Sequence, residues 1–116
     1  MNESIQETFI EVHWTSGSLD EARRVARYLA QQRLVACAQI IPWIESIYLW
    51  NNELETSQES KVVFKTRLEN YETIRKIIEE NCRYEVPQIT WIFIDGGNEQ
   101  YMRWLAESVS GSLLLE

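Results

Sequence analysis

The sequence predicts an α+β fold: a ferredoxin-like βαββαβ sandwich with a long β-hairpin arm and a C-terminal helix. Three observations carry that expectation. Ile10, Val12 and Trp14 alternate with Glu11 and His13, the two-residue period of a half-buried strand. Two later stretches place apolar residues at helical spacing, Leu19, Ala22, Ala26, Leu29 and Ala30 in one, Tyr71, Ile74, Ile77 and Ile78 in the other. Between them, two strand-like runs flank Asn51-Asn52, a pair that tolerates the positive φ of a tight hairpin turn.

The elements follow in order. The first strand is centred on Ile10 to Trp14. Ser18, three residues before Glu21, has capping-box spacing, so the first helix starts there and runs to about Gln32. Leu34 to Ile41 is nearly all small or apolar and reads as a central strand buried on both faces, bent or ended by Pro42, which cannot donate to a ladder. Ile44 to Trp50 and Glu53 to Thr66 form a long hairpin whose base alone belongs to the core. Such a hairpin is barely stable alone in water, so the aromatic Tyr48 and Trp50 predict cover from another chain. The second helix spans about Asn70 to Asn81. Thr90 to Asp95 is the last strand, broken by Gly96-Gly97, and Tyr101, Met102, Leu105 and Val109 mark a short third helix. The order is β-α-β-β-α-β-α, whose first six elements make a four-stranded antiparallel sheet with two helices on one face.

The chain has 116 residues, 45% of them hydrophobic, which fits one domain with its core over residues 8–107 and a tail at 108–116. Leu113, Leu114 and Leu115 continue no helical face and are read as packing on a partner or as a terminal remnant. A formal charge of −7 and a pI near 4.8 argue against nucleic acid and anionic membranes, both of which would repel the chain. No signal-peptide pattern opens the sequence, and no apolar run reaches membrane-spanning length, so the default residence is cytoplasmic. There the two cysteines, Cys37 and Cys82, remain thiols.

Cys82-Arg83-Tyr84-Glu85-Val86-Pro87-Gln88-Ile89 sets a thiol, a phenol, a carboxylate and a rigid proline between a helix and a strand. Cys82 and Glu85 are the candidate metal ligands, since a thiolate beside a carboxylate suits a soft or borderline ion such as copper or zinc. The alternative is that Cys82 fills space after the helix and Glu85 pairs with a cation such as Lys65. Cys37, inside an apolar run, reads as core. His13, the only histidine, sits on a half-exposed strand face with Glu11 and lacks convergent partners for a zinc site. Lys65, Tyr84 and Trp104 are candidates for lining a ligand cleft, and Tyr48 and Trp50 for an oligomer interface. No Ser/His/Asp set, glycine-rich phosphate loop or HExxH pattern occurs, and Thr15-Ser16-Gly17 lacks the arginine that an acylphosphatase loop needs. The chain is therefore read as non-enzymatic, with no organic cofactor.

Taken with Arg33-Leu34, Ala36-Cys37, Pro42, Ser46-Ile47-Tyr48, Trp50, Glu59, Lys65-Thr66, Tyr84-Glu85, Pro87, Ile89, Tyr101 and Trp104, the chain from Phe9 to Leu105 resembles the CutA family of divalent-cation tolerance proteins. That resemblance implies a homotrimer in which hairpin arms and sheet edges pair between subunits, and a role in copper or other divalent metal binding and tolerance. The family motif has His-Pro-Tyr-Glu where this chain has Cys82-Arg83-Tyr84-Glu85, and a glutamate at Gln88. The cysteine keeps soft-metal affinity and favours Cu(I), whereas Gln88 removes a charge. The competing reading is a trimeric small-ligand sensor of the P-two signalling type, with ligands bound in clefts between subunits.

Overall fold

In the computed structural model, which describes residues 8–109, the elements fall in the expected order. They are β1 (Phe9–Ser16), α1 (Leu19–Gln31), β2 (Cys37–Trp50), β3 (Glu53–Arg67), a single 3₁₀ turn (Leu68–Asn70), α2 (Tyr71–Asn81), β4 (Ile89–Ile94) and α3 (Glu99–Ser108). The strands form one antiparallel sheet in the order β2-β3-β1-β4. The three-leucine run at 113–115 lies outside the described residues.

The core is built by the alternation in β1 and β3. Ile10, Val12 and Trp14 point to one side with Val62 and Phe64, and all five are fully buried beneath α1 and α2. Trp14 stacks on Phe64 with ring centroids 6.3 Å apart. The helices answer with Ala22, Val25, Leu29, Ile74 and Ile78. Each large side chain so buried stabilises the fold by roughly 1.5–3 kcal/mol relative to exposure.

Local chemistry sets the helix ends. The Ser18 hydroxyl accepts from Glu21 N at 3.2 Å, capping α1 as its spacing predicts. The reciprocal half of a capping box is replaced, because the Glu21 side chain turns inward. At the other end Arg33 takes φ 60, the left-handed conformation. Arg33 N donates to Ala30 O and Leu34 N to Leu29 O, the paired bonds of a Schellman closure. An L-residue held there costs on the order of 1–2 kcal/mol. The buried Leu34 and Val35 that follow offset it.

Two expectations are corrected here. The apolar run from Leu34 to Ile41 is not a central strand buried on both faces: Leu34 and Val35 lie in the turn before β2, and β2 is an edge strand. Ile41 is 46% exposed, so apolarity that reads as two core contacts belongs on one side to an open surface. Cys37 accordingly opens that edge strand and is only half-buried, outside the core.

The hairpin forms as its turn residues require. Asn51 (φ 53) and Asn52 (φ 66) make a two-residue turn with both central residues left-handed, matching the twist of the flanking strands. Register shifts between Ile41 and Ile44, around Pro42, whose carbonyl accepts from Ser60 Oγ at 2.8 Å. β1 pairs with β3 only as far as Ser16 and Ser60, so Ile44 to Glu59 projects beyond the sheet as an arm. The chain extends 56 × 28 × 22 Å.

α3 lies on the sheet face turned away from α1 and α2. Its C-terminal carbonyls are held by cations: Arg67 Nη2 donates to Ala106 O (2.6 Å), Arg67 Nε to Val109 O (3.4 Å) and Arg33 Nη2 to Glu107 O (3.2 Å). Leu105 is its buried anchor.

Candidate functional site

α2 stops at Asn81, and the loop from Cys82 to Gln88 folds back over the start of α1 and the root of the arm. The buried Glu21 carboxylate pins it there. One oxygen accepts from Ser16 Oγ at 2.7 Å and the other from Arg83 N at 3.1 Å, tying the end of β1, the start of α1 and the loop together. Beside it lies an open cleft of about 360 Å³, lined by Asp20, Glu21, Arg24, Glu80, Cys82 and Arg83 among others.

Cys82 is half-buried and donates its S–H to Tyr84 O at 3.6 Å. Burial first, and the Glu21 carboxylate second, push its thiol up from the ordinary value. The thiolate is the metal-binding form, so an ion taken up here must displace a proton. Glu85 and Val86 are exposed on the loop surface, and Gln88 Nε2 donates to Thr90 Oγ1 at 3.3 Å. Among the described residues no three His, Cys, Asp or Glu side chains converge as a metal-ligand group. Cys82 and Glu85 are neighbours in sequence, and among the described residues no third such side chain joins them.

Tyr84 reaches the arm. Its hydroxyl donates to Glu59 Oε2 at 2.8 Å, while Ser46 Oγ donates to Glu59 Oε1 at 2.6 Å. Tyr48 and Ser57 share a 2.6 Å hydroxyl contact one step further out. Burial, then the bond to the Glu59 carboxylate, raise the Tyr84 phenol to about 12, so it stays a neutral donor throughout the physiological range. Gly17 makes this placement possible: a Cβ there would sit 2.8 Å from the Tyr84 hydroxyl oxygen.

A second group occupies the opposite end of the sheet. Lys65 Nζ donates to the Tyr101 hydroxyl at 3.4 Å and lies 5.3 Å from that ring's centroid. Cys37 Sγ is 3.8 Å from the same hydroxyl, and the Trp104 ring centroid is 5.5 Å from that of Tyr101. Burial raises the Tyr101 phenol, the Cys37 contact adds to the rise and Lys65 opposes it.

The candidates therefore divide into two groups. Lys65 and Trp104 stand together through Tyr101, whereas Tyr84 stands with Cys82 and Glu85. Five residue steps of extended β3 lead from Ser60, next to the Tyr84 network, to Lys65, about 17 Å. Tyr48 and Trp50 lie on the arm, with Trp50 65% exposed. Ser46, Glu59 and Gly17, which complete the Tyr84 network, were not among the candidates. The signal for the first two was present: a two-residue turn at Asn51-Asn52 brings Ser46 opposite Ser57 and Ile44 opposite Glu59, so their polar side chains fall on one face. The close approach at Gly17 has no counterpart in the linear sequence.

A family model described as CutA1 divalent ion tolerance protein matches residues 10–108. Among curated proteins, the chain is 31% identical over 99 residues to "Protein CutA, chloroplastic" of Arabidopsis thaliana, covering 85% of this chain and 54% of that protein. It thus spans about half the length of that relative. The crystal structure of CutA1 from Oryza sativa superposes with a TM-score of 0.86 at 31% identity, covering 90% of this chain and 96% of that one. A structure titled as the periplasmic divalent cation tolerance protein CutA from Archaeoglobus fulgidus gives a TM-score of 0.80 at 31% identity, covering 90% of this chain and all of the other. Relatives so named occupy chloroplast and periplasm, and among the described residues no helix is long and apolar enough to cross a membrane.

Proposed function

This chain belongs to the CutA1 family of divalent ion tolerance proteins, and from that premise we propose that it works as a homotrimer that binds a divalent or soft metal ion, copper foremost. Its role is in tolerance and response to metal ions rather than in catalysis. The observation that carries the reading is the arm. Ile47 (62%), Leu49 (69%) and Leu54 (72%) share one exposed face, with Leu49 and Leu54 cross-strand partners. Apolar side chains so arranged are stable when other copies cover them. Assembly also supplies what the described residues of one chain lack, a source of further donors beside Cys82 and Glu85. We place this activity in the cytoplasm, where both free cysteines remain reduced.

The test is an anaerobic titration of the reduced protein with Cu(I) against a competing chelator, beside Cys82→Ser. Tight binding lost in the variant supports Cys82 as a ligand. Equal, weak binding in both proteins removes metal from the account and leaves the second reading, a small-ligand sensor with clefts between subunits. The two-ended layout favours that alternative. Glu59, which holds Tyr84, and Lys65, which stands with Trp104, are six steps apart on β3, about 20 Å in one chain, and the two groups can share a cleft only when each comes from a different copy. A small anion that raises the melting temperature of wild type but not of Lys65→Gln supports it.

A further inference from the structure

α1 turns Arg23, Arg24, Arg27 and Tyr28 to solvent, opposite the face it buries. Arg23 and Arg27 stand one turn apart, about 6 Å along the axis, a like-charge spacing that works against the helix. Elsewhere the chain relieves such charges: Arg75 is held by Glu72 at 2.7 Å and Glu79 at 2.8 Å, and Arg103 by Glu99 at 2.8 Å. Among the described residues no carboxylate pairs with Arg23, Arg24 or Arg27, although Asp20 precedes the first two by one helical turn, the favourable order for an ion pair. Arg24 Nη2 donates instead to Asn81 O at 3.2 Å, bridging α1 to the C-terminal end of α2. The three guanidiniums, with Asp20, Tyr28 and Gln31, line an open hollow of about 540 Å³. Three cations against one carboxylate make it locally basic on a chain whose formal charge is −7. The other carboxylates on this side are placed elsewhere. Glu21 is buried and accepts from Ser16 and Arg83, and Glu80 lines the neighbouring cleft with Cys82.

We infer that this hollow binds a small polyphosphate anion, two or three linked phosphates gripped by Arg23 and Arg27 with Arg24 beside them. Guanidinium pairs bidentately with phosphate oxygens, and a phosphate chain presents successive oxygen pairs to two guanidiniums one turn apart. Charge also limits the size of the ligand. Screening in physiological salt acts within about 8 Å, so a ligand confined to the hollow meets chiefly its three cations. Nucleic acid or a membrane surface laid on the same spot extends over the acidic remainder of the chain and is repelled. The phosphate chain is the same whether free or carried by a nucleotide. Tyr28, 48% exposed, offers its ring to a base only in the second case.

Isothermal titration of the wild-type chain with sodium tripolyphosphate is expected to show one site per chain, weakened by added NaCl. Arg23→Gln and Arg27→Gln are each expected to weaken binding by about tenfold or more. Arg27→Lys keeps the charge, loses the fork and falls between wild type and Arg27→Gln. Without ligand, Arg27→Gln is expected to melt no lower than wild type, since it removes the like-charge spacing. ATP in place of tripolyphosphate separates the two sources. Equal affinity assigns a free condensed phosphate; tighter binding that falls to the tripolyphosphate level in Tyr28→Ala assigns a nucleotide. The inference is overturned if neither anion binds, if binding survives both arginine changes or is lost in Lys65→Gln instead, or if Arg27→Gln lowers the ligand-free melting temperature.

Discussion

The body and the arm are continuous strands of one hairpin, yet they obey different rules. In the body, every second residue of β3 from Ser60 to Thr66 is buried, and two helices close over Val62 and Phe64. Past Ser60 the same strand loses β1 as a neighbour, and Leu54, Leu49 and Ile47 face outward and are uncovered by any of the described residues. The body carries a complete core. The arm carries half of one. At their junction lies the Ser46, Glu59 and Tyr84 network, which locks the loop containing Cys82 and Glu85 to the root of the arm.

The difference is broken most severely from the body. Phe64→Ala removes a fully buried ring stacked on Trp14 and is expected to cost about 3–5 kcal/mol, read as a lower denaturant midpoint for folding. Leu49→Asp with Leu54→Asp in the arm is expected to dissociate the assembly while leaving far-UV circular dichroism and core packing intact. Equal damage from both changes would mean that arm and body are one cooperative unit.

A smaller effect is expected at the junction. Gly17→Ala places a methyl group 2.8 Å from the Tyr84 hydroxyl oxygen, so the ring has to move and the Glu59 bond breaks, at about 1–2 kcal/mol. Loss of phenol ordering, seen by ultraviolet difference spectroscopy, checks it. The smallest effect is a pH dependence. The Tyr84 phenol is raised to about 12 in the folded chain, so the folded state holds that proton more tightly than the unfolded one. The stabilisation is complete below the unfolded value near 10 and is lost as pH climbs through about 12. Tyr84→Phe should remove that step from the alkaline unfolding curve, and an unchanged curve would contradict the assignment.

What the sequence made legible follows the same division. The period of two in Ile10, Val12 and Trp14, the helical spacing around Leu29 and Ile74, and Asn51-Asn52 each act over a few residues, and each matches an element of the structure. The Leu34 to Ile41 run misleads because apolarity reports burial without saying whose surface does the burying. The alternative in which Glu85 pairs with a cation such as Lys65 does not find that partner: Lys65 turns to Tyr101, at the far end of the sheet from the loop. The Glu21 carboxylate was hidden for a related reason. Its spacing from Ser18 suggests a surface capping box, while its actual partners, Ser16 and Arg83, include one 62 positions away in the chain.

The most direct test of the central claim is sedimentation equilibrium of the wild-type chain at micromolar concentration beside the Leu49→Asp, Leu54→Asp double variant. The account predicts three copies for wild type and a folded single chain for the variant. A wild-type monomer, or a trimer untouched by two charges on the arm's apolar face, would contradict it.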